Sequence, residues 1–236
     1  MRERVIFHID ANSAFLSWSA AYRVKVLGEK VDLREIPSVV AGDKESRQGI
    51  ILAKSTPAKK YGIQTGEPLF QALEKCPELV VVPPDYELYV EASRHFVEIL
   101  RQFSPLVEQY SIDEAWVDMT GTQRIYGDPR LAAEKMRERI WQELGFTVNV
   151  GISTNKILAK MAGDLEKPNK VITLYPEEME EKLWPLPVRD LFLVGAATER
   201  KLNRLGIYTI GDLANADVNM LRKRLGKPGH LYTQLT

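Results

Sequence analysis

The chain is short of the residues that would staple or anchor it. Cys76 is its only cysteine, which excludes an intrachain disulfide and suits a reducing compartment. His8, His95 and His230 are scattered, and with a single thiol they make no zinc-site spacing. No run approaches the roughly 20 apolar residues of a membrane helix. The apolar stretch near the start is too short for a signal peptide and is cut by Asp10. These absences point to a soluble, cytoplasmic protein with no membrane partner. No segment is low-complexity, and no repeat of fixed period occurs. Charge of one sign is also lacking: 32 Lys and Arg balance 32 Asp and Glu, so the total does not announce a polyanion partner. The distribution says more. From Leu186 onward eight basic residues stand against four acidic ones, a local bias of the kind that suits phosphate backbones.

What is present suffices for a substantial core. With 236 residues, 44% of them hydrophobic, the chain can fill one large domain or two to three small ones. Val5–Ile9 reads as a buried strand and Ser13–Leu27 as a helix stopped by Gly28. Ile36–Val40 and Gly49–Ala53 read as strands bracketing a polar turn at Gly42–Ser46. Pro57 opens a short helix that Gly62 closes, Pro68–Lys75 is another, and Leu79–Val82 is a strand. Leu88, Ala92, Phe96, Ile99, Leu100 and Phe103 share one helical face that ends before Pro105. Leu106–Ile112 and Ala115–Met119 then form a hairpin. Ala132, Met136, Ile140 and Leu144 mark a helix stopped by Gly145. Thr147–Ile152, Lys156–Leu165 and Val171–Leu174 read as strand, helix and strand. The order is compatible with a ferredoxin-like sheet in an α+β fold, with residues 13–80 inserted after the first strand. After about Tyr175 strand signals give way to short helices and Pro/Gly turns, which marks a domain boundary.

Two acidic clusters stand out. Asp10 ends the first apolar run, and Asp113 with Glu114 interrupts the hairpin. Taken alone, either is an ordinary turn or cap. If the fold joins the two, they make an oxygen-lined site suited to Mg²⁺ and phosphate chemistry.

The wording of the clusters favours the second reading. HIDANSAF (8–15) and YSIDEAWVD (110–118) resemble the D-x-D-x-F-[FY] and S-[IV]-D-E motifs of the Y-family translesion DNA polymerases, the polymerase IV and UmuC-like group. The resemblance runs along essentially the whole chain. It implies a palm (residues 1–12 and 81–174), inserted small α/β fingers (13–80) and a helical thumb (175–236) with helix–hairpin–helix turns. It implies that Asp10 and Asp113 bridge two Mg²⁺ ions, that Glu114 serves the primer-side ion and that the Ala11 carbonyl helps the nucleotide-side ion. Phe15 matches the aromatic steric gate against a ribose 2′-hydroxyl.

LAKSTPAKKYGIQTGEP (52–68) resembles the triphosphate-binding A-x-Y-x-A-R-K-[FY]-G-[IV]-x-x-G-x-P, with Thr56 in place of Tyr and Lys59 in place of Arg. Lysine keeps the charge and loses the bidentate fork. GISTNKILAKMAGDLEKPNK (151–170) matches the palm motif in which Lys167 contacts nucleotide phosphates, with Lys170 replacing a final Gly. Lys156 and Lys160, four apart, face either phosphate or water. FLVGAATERKLNRLGI (192–207) resembles a helix–hairpin–helix whose usual Pro-Gly is here Phe192-Leu193. Its Gly195 and Gly206, with Ser111, are the expected DNA contacts, through backbone amides that do not read sequence. A second hairpin is expected at Leu225–Gly229, and the Leu202/Leu205 stripe belongs to a core.

The resemblance therefore implies a lesion-bypass DNA polymerase acting on primer–template DNA and dNTP. It also implies a further basic little-finger domain, expected to be absent from these residues, and near it the segment for a sliding clamp. Two other readings remain open: a two-metal nucleotidyl cyclase on a palm-like fold, and a DNA-binding accessory protein whose catalysis has decayed.

Overall fold

The structure is a computed structural model and describes residues 4–42 and 49–225. Most of the expected turn at Gly42–Ser46, nearly all of the second hairpin at Leu225–Gly229, and His230 lie outside the described residues. In chain order the elements are β1 (Ile6–Ala11), α1 (Ala14–Lys25), β2 (Ser38–Ala41), β3 (Ile51–Lys54), α2 (Thr56–Lys59), α3 (Leu69–Lys75) and β4 (Val80–Val82). Next come α4 (Tyr86–Phe103), β5 (Val107–Gln109), β6 (Glu114–Asp118), α5 (Gln123–Tyr126), α6 (Pro129–Leu144), β7 (Val148–Ser153), α7 (Lys156–Leu165) and β8 (Val171–Thr173). Among the described residues the remainder is helical: α8 (Met179–Lys182), α9 (Ala196–Asn203), α10 (Ile210–Ala214) and α11 (Val218–Leu225), with 3-10 turns at Pro176–Glu178 and Val188–Asp190.

The larger sheet has the order β5-β6-β1-β7-β8. Its first four strands follow the ferredoxin-like arrangement, and β8 adds a fifth, parallel to β7 with Val150 opposite Val171. The smaller sheet has the order β3-β2-β4, with β2 antiparallel to β3 and parallel to β4. The fold is α+β.

By contact density the chain divides into two compact units: residues 10–117 with 134–149, and residues 1–9 with 118–133 and 150–236. In the first, α4 buries Tyr89, Phe96, Val97, Leu100 and Phe103, while Leu88 and Ala92 sit at the margin of that face. Asp85 starts this helix, its carboxylate accepting from the Leu88 N–H at 3.0 Å. The small sheet packs Val39, Ala41 and Ile51 against Ala58, Ile63, Leu69, Ala72 and Cys76. Cys76 is fully buried, which pushes its thiol pKa up, with Glu78 adding to the effect.

In the second unit α7 lies flush on β7. A Cβ on Gly151 would fall inside the Ala159 carbonyl and the Gly163 amide, so only glycine allows this approach. Asn155 caps α7, its Oδ1 accepting from the Ile157 and Leu158 N–H groups at 3.0 and 2.9 Å. From α7 to α11 a separate core gathers Leu158, Met161, Leu183, Val188, Leu202, Ile210, Leu213 and Leu221.

Three local expectations need correction. The first hairpin strand is shorter than predicted and the second is shifted by one residue, so that Glu114 opens β6 instead of sitting in the turn. The Tyr110 and Ser111 N–H groups both donate to the Glu114 carbonyl, at 3.0 and 3.2 Å, which takes the chain off the ladder after Gln109. Helix α5 was not predicted; it buries no residue and so leaves no periodic pattern. Lys170 needs no glycine, because the left-handed backbone falls on Asn169 (φ 59) and the Lys170 carbonyl simply accepts from the Val150 N–H at 2.9 Å.

Candidate active site

The two acidic clusters meet through the backbone. β1 delivers Asp10 at its C-terminal end, and the Ala11 N–H donates to the Asp113 carbonyl at 3.0 Å. One residue on, the Asn12 N–H donates to the Thr147 carbonyl at 3.0 Å, and its side-chain amide to Thr147 Oγ1 at 3.1 Å. Ser111 Oγ donates to Asp113 Oδ1 at 2.7 Å and so fixes that carboxylate within its turn. Asp10, Ser111, Asp113 and Glu114 are all partly exposed.

The donor set of Asp10, Asp113, Glu114 and the Ala11 carbonyl is oxygen only, which fits a hard divalent cation and not zinc or a soft metal. Among the described residues no three His, Cys, Asp or Glu side chains are gathered closely enough to hold a metal between them.

Phe15 follows on α1. Its ring stacks flat on Tyr89, centroids 4.5 Å apart and planes within 10°, with Tyr86 edge-on at 6.3 Å. Tyr89 is fully buried and its hydroxyl shares a hydrogen bond with Ser19 Oγ at 3.0 Å. Phe15 itself is half-buried. Between Asp10 and Phe15 the backbone passes through Ser13 in the left-handed region, φ 50 and ψ 50.

Thr56 and Lys59 are both exposed, at the two ends of α2. Lys54, at the end of β3, has its pKa lowered by burial first and then by the nearby Lys59 and Lys75 charges, against the opposing pull of Glu67.

Lys167 belongs to the other compact unit, exposed after α7 and paired with Asp164 at 2.9 Å. Lys160 lies over the Phe192 ring, 5.4 Å from its centroid, so its stem and charge are used in packing α7 against the segment before α9. Lys156 is exposed. Gly195 caps α9, and Gly206 (φ +79) makes the turn after it, where the Ile207 N–H donates to the Leu202 carbonyl at 3.1 Å. Leu202 is fully buried and Leu205 packs against the same core, as expected. In place of the usual Pro-Gly, Phe192 donates its N–H to Met161 Sδ at 3.2 Å and Leu193 takes φ 74.

Sequence reading missed Tyr89, Asn12, Thr147 and Lys54. Tyr89 carries a weak signal, lying three residues after Tyr86 on one helix face; the others become visible only once distant segments are paired.

A βαββαβ-like sheet with an inserted small sheet and a helix–hairpin–helix tail defines the Y-family polymerase fold. The chain belongs to the impB/mucB/samB family, which it matches over residues 9–164, and it matches that family's helix–hairpin–helix motif over residues 176–207. It is 53% identical over 228 residues to DNA polymerase IV of Clostridium acetobutylicum, covering 97% of this chain and 57% of that protein. To DNA polymerase IV 2 of Bacillus subtilis it is 41% identical over 234 residues, 98% of this chain and 55% of the relative. The chain thus spans a little over half the length of these relatives. Among solved structures it resembles a Y-family DNA polymerase chimera of Dbh and Dpo4, with a TM-score of 0.84, 27% identity and coverage of 98% of this chain and 66% of that one. DinB from Sulfolobus solfataricus superposes with a TM-score of 0.80, again at 27% identity, over 98% of this chain and 65% of that one. No helix among the described residues is long and apolar enough to cross a membrane.

Proposed function

We propose that this chain is the catalytic part of a template-directed, lesion-bypass DNA polymerase, adding dNMP from dNTP to a primer 3′-hydroxyl. The observation that carries it is the 3.0 Å bond from the Ala11 N–H to the Asp113 carbonyl, which joins the two acidic motifs in a chain of this family. Neither the cyclase nor the decayed-accessory reading is favoured by the family match or the named relatives.

Polymerases of this family generally depend on divalent metal. Two Mg²⁺ ions, when bound, would lower the pKa of the primer hydroxyl and neutralise charge developing on the triphosphate. Asp10, Asp113 and Glu114 would hold them, with the Ala11 carbonyl. Ser111 would keep the Asp113 carboxylate turned toward its task while the hairpin lies near DNA. Phe15, backed by Tyr89, would exclude a ribose 2′-hydroxyl by sterics. Thr56, Lys59 and Lys167 would hold the triphosphate, and the backbone amides at Gly195 and Gly206 would take DNA phosphates.

In this reading residues 1–12 and 81–174 are palm, 13–80 fingers and 175–236 thumb, the enzyme works in the cytoplasm, and a sliding clamp is a partner. Primer extension with Mg²⁺ and each dNTP tests the proposal. Template-directed addition that is lost in Asp113→Ala, with an unchanged melting temperature, supports it. Extension by Asp113→Ala at the wild-type rate refutes it.

A further inference from the structure

We infer that Lys54 is a positioning residue for the triphosphate end of the nucleotide, a clasp that ties the beginning of the helix bearing Thr56 and Lys59 to its end. The inference rests on the role proposed above for those two residues.

Lys54 is the last residue of β3, and α2 begins two residues later. After α2 three successive backbone bonds turn the chain back: Lys60 N–H to Pro57 carbonyl at 3.1 Å, Tyr61 to Ala58 at 3.2 Å and Gly62 to Lys59 at 3.0 Å. The returning chain meets Lys54. Its Nζ donates to the Ile63 carbonyl at 2.6 Å and reaches Gln64 Oε1 at 3.4 Å. The Ile63 side chain is fully buried in the small-sheet core, so that carbonyl is a fixed anchor. Lys75 holds the adjoining Gly62 carbonyl at 3.1 Å and pairs with Glu67 Oε2 at 2.6 Å. On the other side of α2, Ser55 Oγ accepts from the Ala58 and Ser38 N–H groups, each at 3.1 Å, and donates to the Ile36 carbonyl at 2.8 Å.

Such fixing matters more for this chain than it would for an arginine-bearing one. Lys59 is a compact charge on a flexible stem, without the planar fork that aligns itself on phosphate. Its aim then depends on how firmly α2 is held. The charges around Lys54 give the clasp a sense of occupancy. Lys59 and Lys75 repel it and Glu67 attracts it; Glu67 Oε1 is buried with no hydrogen-bond partner among the described residues. A triphosphate arriving at Lys59 offsets the repulsion and favours the protonated, clasped form. Burial and the two lysines depress the Lys54 pKa below that of an ordinary lysine, so the clasp is lost as pH rises through that depressed value.

The test compares wild type with Lys54→Met and Lys54→Arg for dNTP KM, kcat, primer–template Kd and the pH dependence of KM. Losing one charge-assisted hydrogen bond predicts a KM raised about tenfold in Lys54→Met. Its kcat and DNA affinity should hold within about twofold, and the alkaline rise in KM should move to higher pH. Lys54→Arg should recover most of the KM. An unchanged KM in Lys54→Met, an equal fall in kcat, or an alkaline rise at the same pH as in wild type overturns the inference. Should Lys54→Met fail to fold, the wild-type profile decides: a KM flat on the alkaline side also overturns it. Wild type extending no primer would instead overturn the polymerase proposal on which this one stands.

Discussion

Gly151 and Gly163 face each other where α7 lies on β7, yet replacing each with alanine should give opposite results. A Cβ on Gly151 would lie 3.0 Å from the Gly163 Cα and deep inside both the Gly163 amide and the Ala159 carbonyl. All three neighbours are backbone atoms of one helix, so no side-chain rotation can relieve the clash; the helix must lift off the strand. The cost is overpacking plus exposure of the apolar face around Leu158 and Met161, about 3 kcal/mol or more. A Cβ on Gly163 finds its nearest atoms, the Gly151 N and His8 Nδ1, at 3.6 Å, which is ordinary contact. There the helical preference for alanine over glycine, about 1 kcal/mol, offsets any small repacking. Urea unfolding monitored by circular dichroism reads both variants. Gly151→Ala should lower the midpoint sharply or prevent folding, and Gly163→Ala should leave it in place or raise it. Equal effects from the two would refute the close approach of α7 to β7.

Four further outcomes are expected. Asp113→Ala should abolish primer extension with melting unchanged, since truncating a partly exposed carboxylate proposed to face the metals removes charge and adds no cavity in the core. Ser111→Ala should lower kcat about fivefold with little change in stability, because the 2.7 Å bond orienting Asp113 is worth about 1 kcal/mol; an unchanged kcat would mean the hydroxyl is idle. Phe15→Ala should admit ribonucleotides in a competition between dNTP and rNTP, and unchanged sugar discrimination would return the ring to a packing role against Tyr89. The Asp212 carboxyl lies below its ordinary range because the Thr209 N–H, then the Tyr208 N–H and the Thr209 side chain, bind its charged form. The capping box it makes for α10 is therefore fully stabilising above the ordinary carboxylate range and weakens as pH falls through the depressed value; Asp212→Asn should flatten that acid limb of a melting profile.

Much of the fold was legible because burial writes a period into the chain. Helix α7 is expected over Lys156–Leu165 and is found there, with Asn155 capping it. β1, α4 and α6 were within a few residues for the same reason. Helix α5 was not legible, because a four-residue turn with no buried side chain has no pattern to leave. The site was half legible. Motif wording pointed to Asp10, Asp113 and Glu114, but their meeting depends on a hydrogen bond between residues about a hundred apart, Ala11 and Asp113, and nothing local encodes that. Tyr89 behind Phe15 and the anchoring of Lys54 on Ile63 were hidden likewise. The tail showed the reverse case. Phe192-Leu193 stands in place of the usual Pro-Gly, and the fold supports the backbone there in another way. Leu193 accepts φ 74, and Phe192 is held by Met161 Sδ and covered by Lys160.

The same logic governs the six residues from Asp10 to Phe15. Ser13 at φ 50 carries a left-handed strain of about 1 kcal/mol, which persists only where neighbours over-determine it. They do so here. The Ala11 and Asn12 N–H groups are bound to the Asp113 and Thr147 carbonyls, each at 3.0 Å, and the Asn12 carbonyl accepts from Ser17 Oγ at 2.5 Å. Past the strained residue, the Ser17 N–H returns to the Ser13 carbonyl at 2.9 Å, which starts α1. A chain leaving β1 along ordinary extended backbone would carry Phe15 away from the strand end. The left-handed step turns it directly into helix and brings the ring onto Tyr89. The strain at Ser13 is therefore what fixes the spacing between the proposed metal-facing carboxylate and the proposed sugar gate, and it holds because both flanks are tied to other segments of the same unit.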